Sequence, residues 1–85
     1  MYITYILYSQ EKGKFYIGHT GGAIHGRLRK HNSNHKGYSG TNHDWVIMHT
    51  EEIQTKSDAY QREQKIKGWK NRKKIEHLIA SQNPD

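Results

Sequence analysis

The chain has 85 residues, a formal net charge of +6 and no cysteine. A chain of this length forms one domain with a small core, and the lack of cysteine excludes disulfides, thiolate chemistry and cysteine-based zinc sites. No apolar run reaches the length of a membrane span or a signal peptide, so we expect a cytoplasmic, soluble protein without a membrane partner. The positive charge favours an anionic partner, of which nucleic acid is the commonest, over a merely solubilising surface.

The first two elements are predicted to form a β-hairpin. Residues 2–8 and 15–19 are rich in β-branched and aromatic side chains, and the segment 10–13 between them is a polar turn that ends in glycine. Such a hairpin places Tyr5 and Tyr16 side by side and directs both hydroxyl groups at one spot. A pair of phenols at one place is a candidate site for proton transfer.

The remaining elements follow in chain order. They are a helix over 23–31, a polar loop over 32–43, a strand within 44–52, a helix from 57 to about 67, and a third helix. Ser57 is the predicted N-cap of the second helix, Gly68 its stop, and Asn71 the cap of the third. The order ββαβαα predicts an α+β domain over 1–80, in which a three-stranded antiparallel sheet is flanked by helices, with a flexible tail at 81–85.

Charged side chains fall on helix faces that should be apolar. The stripe that carries Ile24 and Leu28 in the first helix also carries Arg27 and His31, so all four are expected to face the sheet. Glu63 lies in the middle of the apolar stripe of the second helix. A buried charge is costly unless it is paired or binds a metal. An ion pair between Arg27 and Glu63 is one explanation, and a functional cleft is the other. The nearby tyrosines favour the cleft.

The seven histidines do not form a recognisable zinc motif. Only His31 and His35 are four residues apart, and no acidic residue completes a zinc-binding helix pattern. His19, directly after Gly18, and His31, on the helix stripe, are the two with a candidate role.

Basic residues concentrate between positions 65 and 74, with Trp69 among them. This segment could follow a phosphate backbone while Trp69 stacks on a base, although Trp69 as core filler between helices is the preferred interpretation. The candidate nucleic-acid contacts are His19, Lys36 in the polar loop, Lys70, Arg72 and Lys73.

Together these residues resemble the GIY-YIG nuclease domain. That family has a strand bearing Gly-Ile-Tyr, a second strand bearing Tyr-Ile-Gly, an arginine on the first helix and a glutamate on a later one. Here Tyr5 takes the place of the first tyrosine, and Tyr16-Ile17-Gly18 matches the second motif. Arg27 and Glu63 fit the arginine and the metal-binding glutamate, and His31 fits a histidine found in many members.

The match extends over nearly the whole chain but has departures. The first motif is Ile3-Thr4-Tyr5, so only its tyrosine is kept, and Gly21-Gly22 lengthens the approach to the arginine by one residue. Position 19, a lysine in several active members, is histidine here. The sequences His19-Thr20 and His31-Asn32 are similar to the small stand-alone bacterial members. Asn71 is the nearest candidate for a late asparagine of the family.

The resemblance implies an endonuclease that hydrolyses phosphodiester bonds in DNA, or alternatively RNA, and leaves 5′-phosphate and 3′-hydroxyl ends. It implies a single Mg²⁺ or Mn²⁺ ion held by Glu63, donation from Arg27 to the phosphate, and water as the nucleophile. Tyr16 is the preferred general base, aided by Tyr5 or His19. DNA repair or recombination is the expected setting.

The rival general base, or phosphate ligand, is His31. Two rival functions remain at the level of sequence: a nucleic-acid-binding module of the same fold with weak catalysis, and a small domain that docks an acidic protein. The presence of Tyr16, Arg27 and Glu63 together favours an enzyme. Its sequence specificity is expected to be low, or to come from a protein partner.

Overall fold

The structure, a computed structural model, describes residues 1–32 and 44–81, and the side chains of all of these except residues 30–32. Its elements are β1 (Tyr2–Ser9), β2 (Lys14–Thr20), α1 (Ile24–Asn32), β3 (Trp45–Ile53), α2 (Lys56–Trp69) and α3 (Arg72–Ser81). The strands form an antiparallel sheet in the order β2-β1-β3. The predicted α+β architecture with the order ββαβαα is therefore confirmed. None of the helices in the described residues is long and apolar enough to cross a membrane.

The predicted hairpin forms, and its turn is held by a local hydrogen bond and by two hydrogen bonds to a residue distant in the chain. Ser9 pairs with Lys14, and Gly13 adopts a left-handed conformation (φ 62°) that lets its amide donate to the Ser9 carbonyl at 2.7 Å. Asp44, just before β3, accepts hydrogen bonds from Ser9 Oγ at 2.7 Å and from the Glu11 amide at 2.8 Å. These two bonds hold the pKa of the Asp44 carboxyl below its usual value. The hairpin turn is thereby tied to the third strand.

The core lies between the sheet and the two C-terminal helices. Ile6 of the central strand pairs with Ile17 of β2, and both pack against Ile66 of α2 and Ile75 of α3. Because successive side chains of a strand point to opposite faces, Tyr5 lies on the other face of the sheet. Both faces of the central strand β1 are buried.

The second helix begins earlier and ends later than predicted. Its N-cap is Thr55, whose hydroxyl accepts from the amide three residues later at 3.1 Å, and not Ser57. The two hydroxyl residues are two positions apart, and local pattern alone does not choose between them. The helix continues through Gly68 to Trp69 and stops at Lys70, which takes the left-handed conformation (φ 48°). Gly68 is therefore not the stop.

The third helix begins as predicted, and its first residue has an unexpected role. Asn71 caps the helix, since its Oδ1 accepts from the amide two residues later at 2.9 Å. Arg72 donates to Tyr8 Oη at 3.3 Å and to the Gly13 carbonyl at 3.1 Å, and its guanidinium lies 5.4 Å from the Phe15 ring centroid. Arg72 therefore attaches α3 to the hairpin.

Candidate active site

The two tyrosines lie side by side, as the hairpin predicts. In the β1–β2 register Tyr5 faces Gly18 and Leu7 faces Tyr16, and the two phenol rings stack with centroids 6.4 Å apart. A Cβ atom at Gly18 would lie 2.7 Å from Tyr5 Oη, so only glycine leaves room for that hydroxyl. Tyr5 is 2% exposed and Tyr16 is 42% exposed. The tyrosines thus form one buried and one accessible phenol.

Three of the other predicted site residues act electrostatically on Tyr5. Burial, together with the neighbouring Tyr16, raises the pKa of Tyr5 to about 12. The positive charge of Arg27 acts against this shift, and the negative charge of Glu63 adds to it. Tyr5 is therefore a neutral phenol at pH 7, able to donate a hydrogen bond but not suited to accept a proton.

This pKa shift predicts a loss of stability in alkaline solution. The pKa of Tyr5 is raised above its unfolded value of about 10, so its contribution is fully present below pH 10 and is lost as the pH rises towards 12. Urea unfolding of the wild type and of Tyr5→Phe between pH 9 and 12 measures this contribution. The wild type should lose more stability than Tyr5→Phe over this window. Equal slopes in the wild type and Tyr5→Phe would contradict the shift.

The first helix places its arginine differently from the prediction. Ile24 and Leu28 are partly buried, but Arg27 is exposed and does not point into the core. An unpaired guanidinium is costly to bury, so it stays in water at the border of the apolar stripe. Its charge still acts on Tyr5. His31 lies within this helix, but its side chain is outside the described part of the structure, as is the whole of Lys36.

Glu63 is buried on the face of α2 that packs against the sheet, beside Ala59 and Ile66, and both of its carboxylate oxygens have partners. Oε1 lies 2.5 Å from His19 Nδ1, and Oε2 lies 2.7 Å from Lys67 Nζ. Burial alone would raise the pKa of this carboxyl, but the two hydrogen bonds outweigh burial and hold it below its usual value. Among the described residues no ion pair joins Glu63 to Arg27. The buried charge of Glu63 is therefore compensated by His19 and Lys67, and not by Arg27, the partner considered from the sequence.

Two residues near Glu63 were not recognised from the sequence as candidates for the site. Lys67 stands four positions after Glu63, a spacing that favours ion pairs on a helix and could have revealed it. Tyr60, 52% exposed, packs its ring edge-on against His19 with centroids 5.9 Å apart. No sequence signal distinguishes Tyr60. His19 itself, a candidate nucleic-acid contact, has one ring nitrogen directed at Glu63.

The Glu63 carboxylate can serve as one ligand of a divalent cation. Mg²⁺ is commonly held by one or two carboxylates, with waters and substrate phosphate oxygens completing its octahedral shell. Glu63 supplies one ionised carboxylate. In residues 1–32 and 44–81 no cluster of three or more histidine or acidic side chains could hold a metal without other ligands. Glu63 could therefore hold the ion only together with water and a bound phosphate.

The family model of the GIY-YIG catalytic domain matches residues 1–76 of the chain. The chain belongs to the GIY-YIG family. The match includes both tyrosine strands, the arginine helix and the glutamate helix, so the resemblance noted in the sequence is confirmed. Among the curated proteins and the solved structures no significant match was found. GIY-YIG proteins are nucleases of the endonuclease type, generally dependent on a divalent metal, and membership therefore implies contact with nucleic acid.

Proposed function

We propose that this GIY-YIG protein is an endonuclease that hydrolyses phosphodiester bonds in DNA with a single Mg²⁺ or Mn²⁺ ion. The observation that carries the proposal is the convergence of charge on one phenol. Tyr16, Arg27 and Glu63 come from three different elements, and the charge of each acts on Tyr5. Residues that are distant in the chain and chemically suited to phosphate hydrolysis thus act on one phenol, which supports the proposal of an active site there.

The two tyrosines have different roles in this proposal. Tyr16 is exposed, so its hydroxyl can reach a water beside a bound phosphate, and we assign it the general base. Tyr5 is buried and neutral, so it donates a hydrogen bond that positions the water or the phosphate. His31 remains the rival base.

Arg27 and Glu63 bind the substrate phosphate and the metal. The exposed Arg27 guanidinium has a planar fork of donors that suits a phosphate. Glu63 is kept ionised by His19 and Lys67 and would hold the ion, which when bound supplies positive charge to the scissile phosphate and its leaving oxygen. Since His19 Nδ1 is bonded to Glu63, we propose that His19 chiefly orients this carboxylate.

Binding is proposed to be electrostatic and weakly specific for sequence. Lys70 and Lys73 are exposed and are assigned to phosphate contacts, and Lys36 keeps that assignment from the sequence. Arg72 directs its donors at the protein itself and is better assigned to stability. Specificity would then come from the shape of the substrate or from a protein partner.

Replacing Tyr16 with phenylalanine should separate cutting from binding. We expect turnover to fall by about 10²-fold, since general-base catalysis contributes about 10²–10⁴-fold, while affinity changes little. Tyr5→Phe should have a smaller effect. Cleavage of plasmid, linear duplex, single-stranded DNA and RNA, each with and without Mg²⁺ or Mn²⁺, measures both. Small and equal effects of the two variants, with His31→Ala inactive, would move the general base to His31.

The same substrate panel distinguishes the alternatives. A nucleic-acid-binding module of this fold would retain substrates in a filter-binding assay but cut none of them with either metal. A domain that docks an acidic protein would bind neither DNA nor RNA at physiological salt, where phosphate contacts still give measurable affinity.

A further inference from the structure

The two partners of the Glu63 carboxylate differ in how easily they can be displaced. His19 holds Oε1 with a side chain that is 21% exposed, and its ring is braced by the edge of Tyr60. Lys67 holds Oε2 with a side chain that is 46% exposed. A lysine ammonium stands on a flexible four-carbon stem, whereas the histidine ring is packed. The carboxylate is therefore firmly held on one oxygen and loosely held on the other.

We propose that Lys67 is the resident counter-ion of Glu63 and that a divalent cation binds this carboxylate by displacing the Lys67 ammonium from Oε2. The inference rests on the proposed function, because it takes Glu63 as the metal ligand. It assigns Lys67 a positioning role that neither the family motif nor the sequence analysis includes.

Two cations bound to the same carboxylate oxygen would repel each other. Lys67 Nζ lies 2.7 Å from Oε2, and Mg²⁺ binds oxygen at about 2.0–2.1 Å. With the two cations on different lone pairs of Oε2, the metal would lie about 4 Å from the ammonium, where like charges repel in a partly buried site. Glu63 is only 10% exposed on its side chain, so water screens this repulsion poorly. The repulsion therefore favours departure of the Lys67 ammonium, which is the more exposed of the two partners of Glu63.

After displacement, the Lys67 ammonium would stay close to Glu63. The charges of Tyr16 and Tyr60 contribute to the raised pKa of Lys67, after the larger contribution of its hydrogen bond to Glu63, so both phenols are near it. Lys67 also remains one helical turn from Glu63 on α2. Before metal binding, Lys67 keeps the buried carboxylate compensated. After metal binding, its charge is available to the phosphate that completes the metal shell.

The test compares Mn²⁺ affinity in the wild type, Lys67→Met and Lys65→Met by isothermal titration calorimetry without nucleic acid. Lys65 is an exposed lysine of the same helix with no ion pair to Glu63, so Lys65→Met removes the same charge two residues away. We expect Lys67→Met to bind Mn²⁺ at least about tenfold more tightly than the wild type, and Lys65→Met to change affinity by less than about threefold. The double variant Lys67→Met/Glu63→Gln should lose the gain.

Unchanged or weaker Mn²⁺ binding by Lys67→Met, or an equal gain in both single variants, would overturn the proposal. If Lys67→Met does not fold, as judged by its thermal unfolding transition, Lys67→Gln replaces it under the same criteria. Failure of the proposed function gives a different result. In that case Lys67→Met gains affinity through Glu63, yet the wild type cuts no substrate with either metal.

Discussion

Replacement of Glu63 by glutamine should reduce metal-dependent cleavage by at least about 10³-fold. The metal supplies several kcal/mol of charge stabilisation in the transition state, and each 1.4 kcal/mol corresponds to about tenfold in rate. Glutamine keeps the shape of the side chain but is a poor ligand for a divalent cation. Initial rates on plasmid DNA at saturating Mn²⁺ measure the loss, and calorimetry with Mn²⁺ should show that binding to the protein is lost as well.

The matched control for this variant is Glu52→Gln. Glu52 is an exposed carboxylate of β3 outside the site, so Glu52→Gln removes the same charge as Glu63→Gln without changing the site. It should cleave within about twofold of the wild type, because surface substitutions away from a site have small effects. Thermal unfolding should show only a modest loss of stability in Glu63→Gln, because the amide oxygen can still accept from Lys67 while the amide NH2 group donates to His19 Nδ1 in the tautomer that leaves this nitrogen unprotonated. Wild-type cleavage by Glu63→Gln would remove Glu63 from the mechanism.

We expect Arg27→Lys to reduce cleavage nearly as much as Glu63→Gln does, although lysine keeps the positive charge. A lysine cannot give the paired, planar donation that a guanidinium gives to a phosphate, and loss of one such contact in the transition state costs about 10²–10³-fold. The exposed position of Arg27 makes this loss catalytic and not structural. Single-turnover cleavage at saturating protein should therefore fall steeply, while the thermal unfolding temperature should stay within a few degrees.

Arg29→Lys controls for the general effect of an arginine-to-lysine change on this helix. Arg29 is also exposed, and it lies on another side of α1, two residues further on. Its variant should cut DNA at a near-normal rate. If Arg27→Lys is as active as Arg29→Lys, then Arg27 is only a surface cation, and its effect on Tyr5 is incidental.

The separation of the tyrosines into a buried and an accessible phenol could not be predicted from the sequence. Both sit in similar strand segments, and the hairpin register explains only why they are adjacent. Tyr5 belongs to the central strand, which has neighbours on both edges, whereas Tyr16 belongs to an edge strand of the sheet. Position in the sheet therefore explains which of the two phenols is desolvated.

Local sequence was sufficient for features that depend on residues close in the chain. The hairpin follows from two β-rich runs and a turn ending in Gly13, and the start of α3 follows from Asn71, whose cap involves only the next few residues. The element order and the family motif were also predictable, because strand and helix periodicities act within a single element. By contrast, Thr55 and Ser57 offered equivalent caps in the sequence, and the helix uses the earlier one.

The contacts that complete the site were decided by tertiary structure. His19 and Glu63 are 44 positions apart, and Arg72 and Tyr8 are 64 positions apart, so no local pattern joins them. The sequence marked Glu63 as a charge on an apolar stripe, but a buried charge can be paired with any residue that the fold brings near it. Sequence determined which chemically active residues are present and in which elements they lie. The packing of α2 against β1 and β2 decided that Glu63 contacts His19, because partners across such distances depend on how whole elements fit together.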